Sequence, residues 1–571
     1  VTLVSPTCGF TLVTRWACAL TLVACGGQTV PHEMGTNHNV DAGEDASEQD
    51  ALCEAETWGE AGGLFAEWRA TPNTHSHLPN VSYAGYRYGA ALPDLSTLRR
   101  VRVIDYGAVP GSTDDASDAI AAALADIATT GGVVEFPEGE LRVRRPIAVQ
   151  SDDTVLVGAG SDKSRILFDQ ALDDAYARNT RDSSSRWSWT GGLVWFAPAS
   201  LRSFPAPSSE LGGTWNEGWV VTGNPISLAQ PARRGDTHVE VVDATAFQPG
   251  DRVVVEVDSN MALLAHLAGE GDYARSVDWT QATYILPPQQ AVVHWPVEIV
   301  AVHADNTLEL AQPLRFALRD DWKPRVRRLG PVLRDSGIVG LTLRLGRITA
   351  YDTARDHHHE SGWNGLMMEN AWDCFAQDVR VENAENALLF TASKNITVRD
   401  FTITSTSDAL ALQHHGTVTR QFCNDILFSD FTIESEPIHG INVEGFSMGN
   451  VWSRGTLSHG TWDVHRTMPL ENAITELVVH NDGSPGGPPN SGPRMGARQV
   501  AWNIVVDNND CGVIGEPRMM PSGVIEGVRG CEPGTLGNSD AIVQHSGLRG
   551  TTPDPPNLYE AQRALRMCRE R

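Results

Sequence analysis

From Val379 to Val506 the chain repeats one short pattern of apolar and polar positions. Apolar pairs recur at Val379/Val381, Phe401/Ile403, Phe431/Ile433, Leu477/Val479 and Ile504/Val506, with Gly455-Thr456-Leu457 filling the gap after Phe431. The steps are 22, 30, 24, 22 and 27 residues. Alternation of this kind gives a strand with one face inward and one outward. The long step coincides with the polar stretch Gly416 to Asp425, as when an insertion bulges from one side of a repeat. Asn or Asp sits near the strand junctions at Asn383, Asn395, Asp430, Asn450 and Asn481, and helical periodicity is nearly absent. The pattern predicts short strands stacked ~4.8 Å apart, with the anchors in one inward column. That is an all-β solenoid, a parallel β-helix.

A second repeat lies inside the first. Thr402 to His415, Pro437 to Glu444 and Thr461 to Arg466 each place titratable groups in a short alternating segment. His439 and His465 lie 26 residues apart, close to the rung step. Stacked rungs would therefore gather His414, His415, His439, Asp463, His465 and Arg466 into one patch, near Asp408 and Glu444. On a strand Arg466 projects across from His465, so a bend at Thr467-Met468-Pro469 is needed to bring it to the same side.

Length and charge fit a solenoid. The 571 residues include 53 glycines and 32 prolines, which suit many short strands and turns. Acidic residues number 71 against 44 basic ones, a formal charge of −27, which disfavours nucleic acid or an anionic membrane as main partner. An acidic glycan would need local basic groups or a bridging cation.

The N-terminal segment reads as an export signal. Trp16 to Ala24 is an apolar run too short to span a bilayer. It ends in Leu22-Val23-Ala24-Cys25-Gly26, which resembles a bacterial lipoprotein cleavage box with Cys25 as the lipidated residue. The other reading is an ordinary secretory signal with an incidental cysteine. Gly26 and Gly27 favour the outer membrane or cell surface, with a periplasmic or secreted location as the alternative. Gln28 to Asp50 is polar and acidic and reads as a tether. Cys53, Cys374, Cys423, Cys511, Cys531 and Cys568 allow three bridges in an oxidising compartment.

From Val101 a family comes into view. Val101-Arg102-Val103-Ile104-Asp105-Tyr106-Gly107-Ala108, Thr113-Asp114-Asp115 and Gly131-Gly132-Val133-Val134-Glu135-Phe136-Pro137 closely resemble the opening of pectate-lyase-superfamily β-helices. Asp114 or Asp115 can cap a helix running to Ile127, with Ile120, Leu124 and Ile127 on one face, and Gly131-Gly132 stops it. The resemblance implies a right-handed, single-stranded coil whose open end this helix plugs. Leu78 to Gly89, with its Ser82-Tyr83-Ala84-Gly85-Tyr86 core, is similar to an element of a secreted branch of that superfamily. So are Trp187 to Leu193, Gly362-Trp363-Asn364-Gly365, Met495-Gly496-Ala497-Arg498 and Leu558 to Gln562. That branch carries His-His-Gly, His-Asp-Leu and Asp-His-His-Arg elements, which here read His414-His415-Gly416, His439-Gly440-Ile441 and Asp463-Val464-His465-Arg466. The Asp of the second and one His of the third are absent.

Residues 232 to 310 read as a compact β module with a hairpin turn at Pro249-Gly250-Asp251, and Asn260 to Gln290 as a lid or loop beside the groove. Arg315, Arg319, Lys323, Arg325, Arg327, Arg328 and Arg334 form a basic run, either balanced by nearby acids or an anionic-glycan subsite. Asp356-His357-His358-His359-Glu360 could chelate a metal, though alternating side chains favour a surface loop. The expected organisation is a signal peptide to 25, a tether to 52, an N-terminal wrap, capping helix and first rungs to 225, an inserted module to 325, site-bearing rungs to 510 and a C-terminal cap to 571.

The chemistry expected of this groove is β-elimination on a uronate-containing polysaccharide. His439 or His465 would be the base, Arg466 the carboxylate clamp, and His414 and His415 positioning groups. Asp408 and Asp463 would orient imidazoles or hold a cation such as calcium, while Glu444, Trp363, Asn364 and Arg498 would contact substrate. Two alternatives stand beside it. Hydrolysis needs paired carboxylates, and a non-catalytic glycan-binding surface lipoprotein would use Trp187, Trp189, Trp363 and Trp462 as stacking platforms. A monomer with a polysaccharide partner and no nucleic acid is expected.

Overall fold

The computed structural model describes residues 63–176, 180–181, 184–185, 187–201, 218–353 and 359–570. Cys25, the acidic tether, Cys53 and Asp356-His357-His358 lie outside the described residues.

A long parallel sheet runs through Gly337–Leu345, Phe375–Glu382, Thr397–Thr404, Leu427–Ile433, Val451–Leu457, Ala473–Val479 and Val500–Val506, each strand paired with the next. A second parallel sheet runs through Asn364–Glu369, Asn386–Thr391, Leu412–Arg420, Glu436–Val443 and Trp462–Val464. Single parallel bridges through Trp372, Lys394, Asn424, Met448 and Leu470 mark a third side. The chain is an all-β parallel β-helix.

The apolar anchors share one column. Val379, Phe401, Phe431, Gly455, Leu477 and Ile504 are direct partners on successive strands. Phe401 and Phe431 stack with ring centroids 5.0 Å apart. Gly455 continues the column without a side chain because a Cβ there would run into the Phe431 ring. Phe431→Ala would open a cavity between two rungs, and an unfolding free energy lower by ~3–5 kcal/mol in denaturant melts is the expected result.

The polar residues at the junctions have a backbone cause. Asp378, Asp400, Asp430, Arg454, Glu476 and Asn503 each precede one of those anchors and adopt positive φ, from 50° to 57°. Asp373, Asn395, Asp425, Gly449, Glu471 and Arg498 form a second such column, with φ from 51° to 70°. Asn, Asp and Gly enter the left-handed region at least cost, so they collect where every rung must turn.

Ser117–Ile127 forms the expected helix. It buries Ile120, Ala123 and Ile127 in the same core as the first strands. Asp115 accepts from the backbone N–H and hydroxyl of Ser117, tying down its first turn. Elsewhere two chain ends meet. Tyr559, on the helix Leu558–Arg569, donates its hydroxyl to the Ala84 carbonyl, and Gln562 bonds both Pro79 O and Val81 N. Segments 78–89 and 558–562 thus lock together against the outer side of the long sheet, in a cluster with Leu427, Val451, Val500 and Trp502.

The module inserted in the coil is a six-stranded antiparallel sheet built from residues 221–329. The turn at Pro249-Gly250-Asp251 joins two strands that do not pair with each other: His238–Glu240 pairs with Thr307–Leu310, and Arg252–Asp258 with Val292–Val302. The expected hairpin is therefore replaced by a longer-range pairing. Between those last two partners lie the helices Met261–Leu267 and Asp272–Ser276. The basic run is neutralised where it stands: Arg319 pairs with Glu270, Lys323 with Asp258, Arg325 with Glu256 and Asp258, Arg327 with Glu256, Arg328 with Asp251 and Arg334 with Asp152. Charge balance, not a glycan subsite, accounts for it.

Arg315, the first of that run, keys the module to the coil. Its guanidinium contacts Asp425 and lies 2.9 Å from Glu471, and Lys394 shares the Asp425 carboxylate. All four side chains are buried. Cys511 and Cys531 are bridged, whereas Cys374 and Cys423 are buried free thiols. Three bridges among the six cysteines are thereby ruled out.

Candidate functional site

Three consecutive strands of the second sheet bring the histidines together. His415 pairs directly with His439, and the strand that follows carries Asp463 opposite Asn442. Ring centroids are 3.7 Å apart for His414 and His415, 5.3 Å for His414 and His439, 5.1 Å for His415 and His439 and 5.0 Å for His439 and His465.

Asp463 organises the outer half of the cluster. It is fully buried. Its Oδ2 lies 2.6 Å from His465 Nδ1 and 3.1 Å from His439 Nδ1, and accepts from Asn442 Nδ2 at 2.8 Å, while Oδ1 accepts from the Gly486 N–H at 2.7 Å. Burial alone would raise this carboxyl, but the two imidazoles and the hydrogen bonds hold it well below the usual carboxylate range. Burial also works against charge on His465, yet Asp463 outweighs it and the pKa rises. His439 goes the other way. Burial pushes it down to about 4, and burial with its histidine neighbours pushes His415 well below the ordinary value.

The inner half has carboxylate and amide partners. His414 Nδ1 lies 2.6 Å from Glu360 Oε1, which also accepts from the Tyr351 hydroxyl at 2.9 Å. His415 Nδ1 lies 2.7 Å from Asn386 Oδ1, and Asn386 Nδ2 donates to Glu360 Oε2 and Asn364 Oδ1, each at 2.8 Å. Glu385 takes three backbone N–H groups, from Ser361, Gly362 and Trp363, and burial with the nearby Glu360 charge raises it to about 7.

A glycine- and proline-rich segment, 483–494, covers the outer half. Ser484 O lies 2.6 Å from His439 Nδ1, and a Cβ at Gly486 would collide with the His465 ring, so only glycine permits this approach. Arg466 has positive φ and turns its guanidinium onto Gly487 O and Gly492 O of the same segment, both at 2.9 Å. The inserted module buttresses it, with Ile285 packed against Gly492.

His414, His415, His439, Asp463 and His465 therefore meet as the sequence predicts. Arg466 does not act as a clamp on them, because the bend after His465 spends its side chain on holding the segment. Asp408 sits on the exposed turn Asp408–Leu410 and has no hydrogen bond or ion pair with the histidines. Arg498 stands in the second corner column, bonded to Glu471 at 2.7 Å. Glu444 is buried against Arg420 at 3.1 Å, so it balances a cation and is not offered to substrate. Asn364 is fully buried and donates to the carbonyls of Trp187, Thr190 and Gly191. Trp363 is half-buried against the core, and Trp187 and Trp462 lie inside it, so two of the four proposed stacking platforms face no ligand. Asn386, Arg420 and Tyr351 complete the surroundings without having been singled out, and Glu360, read in the sequence as part of a surface loop, is buried beside His414. A signal for Asn386 existed: Asn364, Asn386, His415 and His439 stand in register at steps of 22, 29 and 24 residues. Calcium does not fit here, because it takes about six to eight oxygen ligands and the nearby carboxylates are committed to histidine, amide and guanidinium partners.

Acid should weaken the fold through these rings. Between about pH 6.5 and 4 the unfolded chain binds protons that His439 and His415 refuse in the fold, so stability falls as pH falls. His465 has the opposite sign. Its raised pKa contributes stability present below about 6.5 and lost as pH rises through its folded value. Two depressed rings against one raised ring predict a lower melting temperature at about pH 5 than at about pH 7, with the drop reduced in His439→Gln.

Residues 100–197 match the family model described as rhamnogalacturonase A/epimerase, pectate lyase-like. No curated protein matches the chain. Solved structures similar to it include the Pseudomonas phage phi297 tailspike gp61, at 12% identity over 78% of this chain and 74% of that one, TM-score 0.36. The Azotobacter vinelandii mannuronan C-5 epimerase AlgE6 A-module is 12% identical over 79% and 77%, TM-score 0.35. The Yersinia enterocolitica family 28 exopolygalacturonase is 13% identical over 79% of each chain, TM-score 0.31. Residues 100–197 are thus similar to a pectate-lyase-like family, and the rung register described above makes the chain a parallel β-helix.

Proposed function

We propose that this protein acts on a polysaccharide and cleaves a uronate-containing chain by β-elimination at the histidine cluster. The observation that carries the reading is the Asp463–His465 pair, a buried carboxylate 2.6 Å from Nδ1 of an imidazole whose other nitrogen is left to act. Asp463 fixes the tautomer with the proton on Nδ1, so Nε2 is the basic atom. His465 Nε2 takes the C5 proton of the uronate. The C5–H electron pair becomes the C4–C5 double bond, the C4–O bond breaks, and the departing oxygen is protonated by solvent. Asp463 then stabilises the imidazolium.

Hydrolysis is the weaker reading. It needs one carboxylic acid and one carboxylate facing a common bond. Asp463 accepts from Asn442 and Gly486 besides its imidazoles, Glu444 pairs with Arg420, and Glu385 holds three backbone N–H groups. The family model matched over residues 100–197 supports the substrate class. A panel of uronate and neutral polysaccharides, followed by unsaturated-product absorbance and by reducing ends, tests the reading. Absorbance growth supports it, reducing ends alone indicate a hydrolase, and binding without either indicates an adhesin.

We also propose that Cys25 anchors the protein by lipid, in the outer membrane or at the cell surface. Wild-type protein should fractionate with membranes and take up a fatty-acid label, and Cys25→Ser should abolish both. A soluble, unlabelled wild type would refute the anchor.

A further inference from the structure

Each ring in the cluster turns the same nitrogen towards an oxygen, and three of them are hydrogen-bonded through it. His414 Nδ1 faces Glu360 Oε1, His415 Nδ1 faces Asn386 Oδ1, His439 Nδ1 faces Ser484 O, and His465 Nδ1 faces Asp463 Oδ2. Each partner is an oxygen acceptor. The Asn386 orientation is fixed, since its Nδ2 already donates to Glu360 and Asn364, and Asn364 spends its own Nδ2 on three carbonyls. Nδ1 must therefore carry the proton in His415, His439 and His465, which leaves a lone pair on each of their Nε2 atoms. The Nε2 atoms of His415, His439 and His465 make no hydrogen bond among the described residues. Neutral imidazoles whose Nδ1–H groups are held by carboxylate, amide or carbonyl oxygens are the standard preparation of a histidine metal ligand.

We propose that His414, His415 and His439 bind one divalent transition metal ion of the zinc type, leaving a fourth position open towards His465. These three residues can offer ring nitrogens that all lie within 4.8 Å of one another. Metal–nitrogen bonds of ~2.0–2.1 Å in a tetrahedral arrangement need nitrogens roughly 3.4 Å apart, which small ring rotations supply. Imidazole donors select zinc, copper, nickel or iron over calcium and magnesium. Three protein ligands with an open position is the arrangement of a catalytic rather than a structural site. Resting on the proposed elimination, the open position would take the uronate carboxylate and lower the cost of the charge that develops beside it. The same residues thus hold the cation and, through His465, the base.

The test uses the full chain, stripped with a chelator and titrated with Co²⁺ and Zn²⁺ alone. The expected result is one tight equivalent of Zn²⁺ and, with Co²⁺, the visible absorption of a nitrogen-ligated ion, neither displaced by excess Ca²⁺. His415→Ala and His439→Ala should each weaken binding by more than about 100-fold, and Glu360→Gln, which alters the carboxylate beside His414 and the partner of Asn386, by about 10–100-fold. Glu360→Gln keeps the side-chain volume, so it serves if the alanine variants fail to fold. His459→Ala alters a separate exposed group of His459, His480 and Asp482 and should change nothing. Absence of a tight equivalent, or a tight equivalent lost in His459→Ala and kept in His439→Ala, would overturn the site. Tight metal without turnover on any uronate glycan would keep the metal site and sink the elimination. Full turnover by chelator-stripped protein would keep the elimination and overturn the ion's part in it.

Discussion

His465→Gln should reduce turnover on a uronate glycan by about 10²–10⁴-fold, the usual cost of losing a general base, while the melting temperature stays nearly unchanged. Glutamine suits this test because its amide N–H can still donate to Asp463, which keeps the buried carboxylate partnered. Asp463 would otherwise lose the imidazole 2.6 Å away and retain Asn442, Gly486 and His439. Steady-state rates beside thermal melts of the same preparation separate the two roles. A merely structural ladder of polar rings predicts the opposite pair of results, with stability lost and the folded fraction fully active.

The largest expected effect on stability lies elsewhere. Asp425→Ala should lower unfolding free energy by about 3–5 kcal/mol, because it leaves Lys394 a buried cation without a counter-charge, while Arg315 keeps only Glu471. Gln312, which donates to the same carboxylate at 3.2 Å, cannot compensate a charge. Burial opposes ionisation of Asp425, but Arg315 and Lys394 more than offset it and lower its pKa. Glu471, held by Arg498, Arg234 and Arg315 against the same burial, falls to about 2. Both carboxyls are depressed in the fold, so their contribution is present above the unfolded carboxylate pKa and is lost as pH falls below about 4. Denaturant melts of the variant and of wild type at neutral pH measure the first effect. An Asp425→Ala protein as stable as wild type would show that the Asp425 carboxylate does not hold the module to the coil.

The coil was legible because a rung repeat writes the same physical demand at a fixed step. Val379, Phe401, Phe431, Leu477 and Ile504 could be aligned by eye, and they are direct strand partners. The histidines followed from the same step. What failed to show was direction within a rung. Arg466 follows His465 directly, yet its positive φ turns it onto Gly487 and Gly492. Arg498 carries a plausible charge at a plausible place, but the corner column seats it beside Glu471. Glu360 and Tyr351 reach the cluster from a connection between strands, where no period constrains position. The module hid its pairing because strand partners are separated in sequence, as Arg252–Asp258 and Val292–Val302 are by two helices.

The most direct test of the account is the growth of unsaturated-product absorbance when wild-type protein and His465→Gln are given the same panel of uronate glycans. The account predicts growth on at least one of them with wild type and about 10²–10⁴-fold slower growth with the variant, both proteins melting together. Reducing ends released without absorbance, or equal rates for the two proteins, would contradict it.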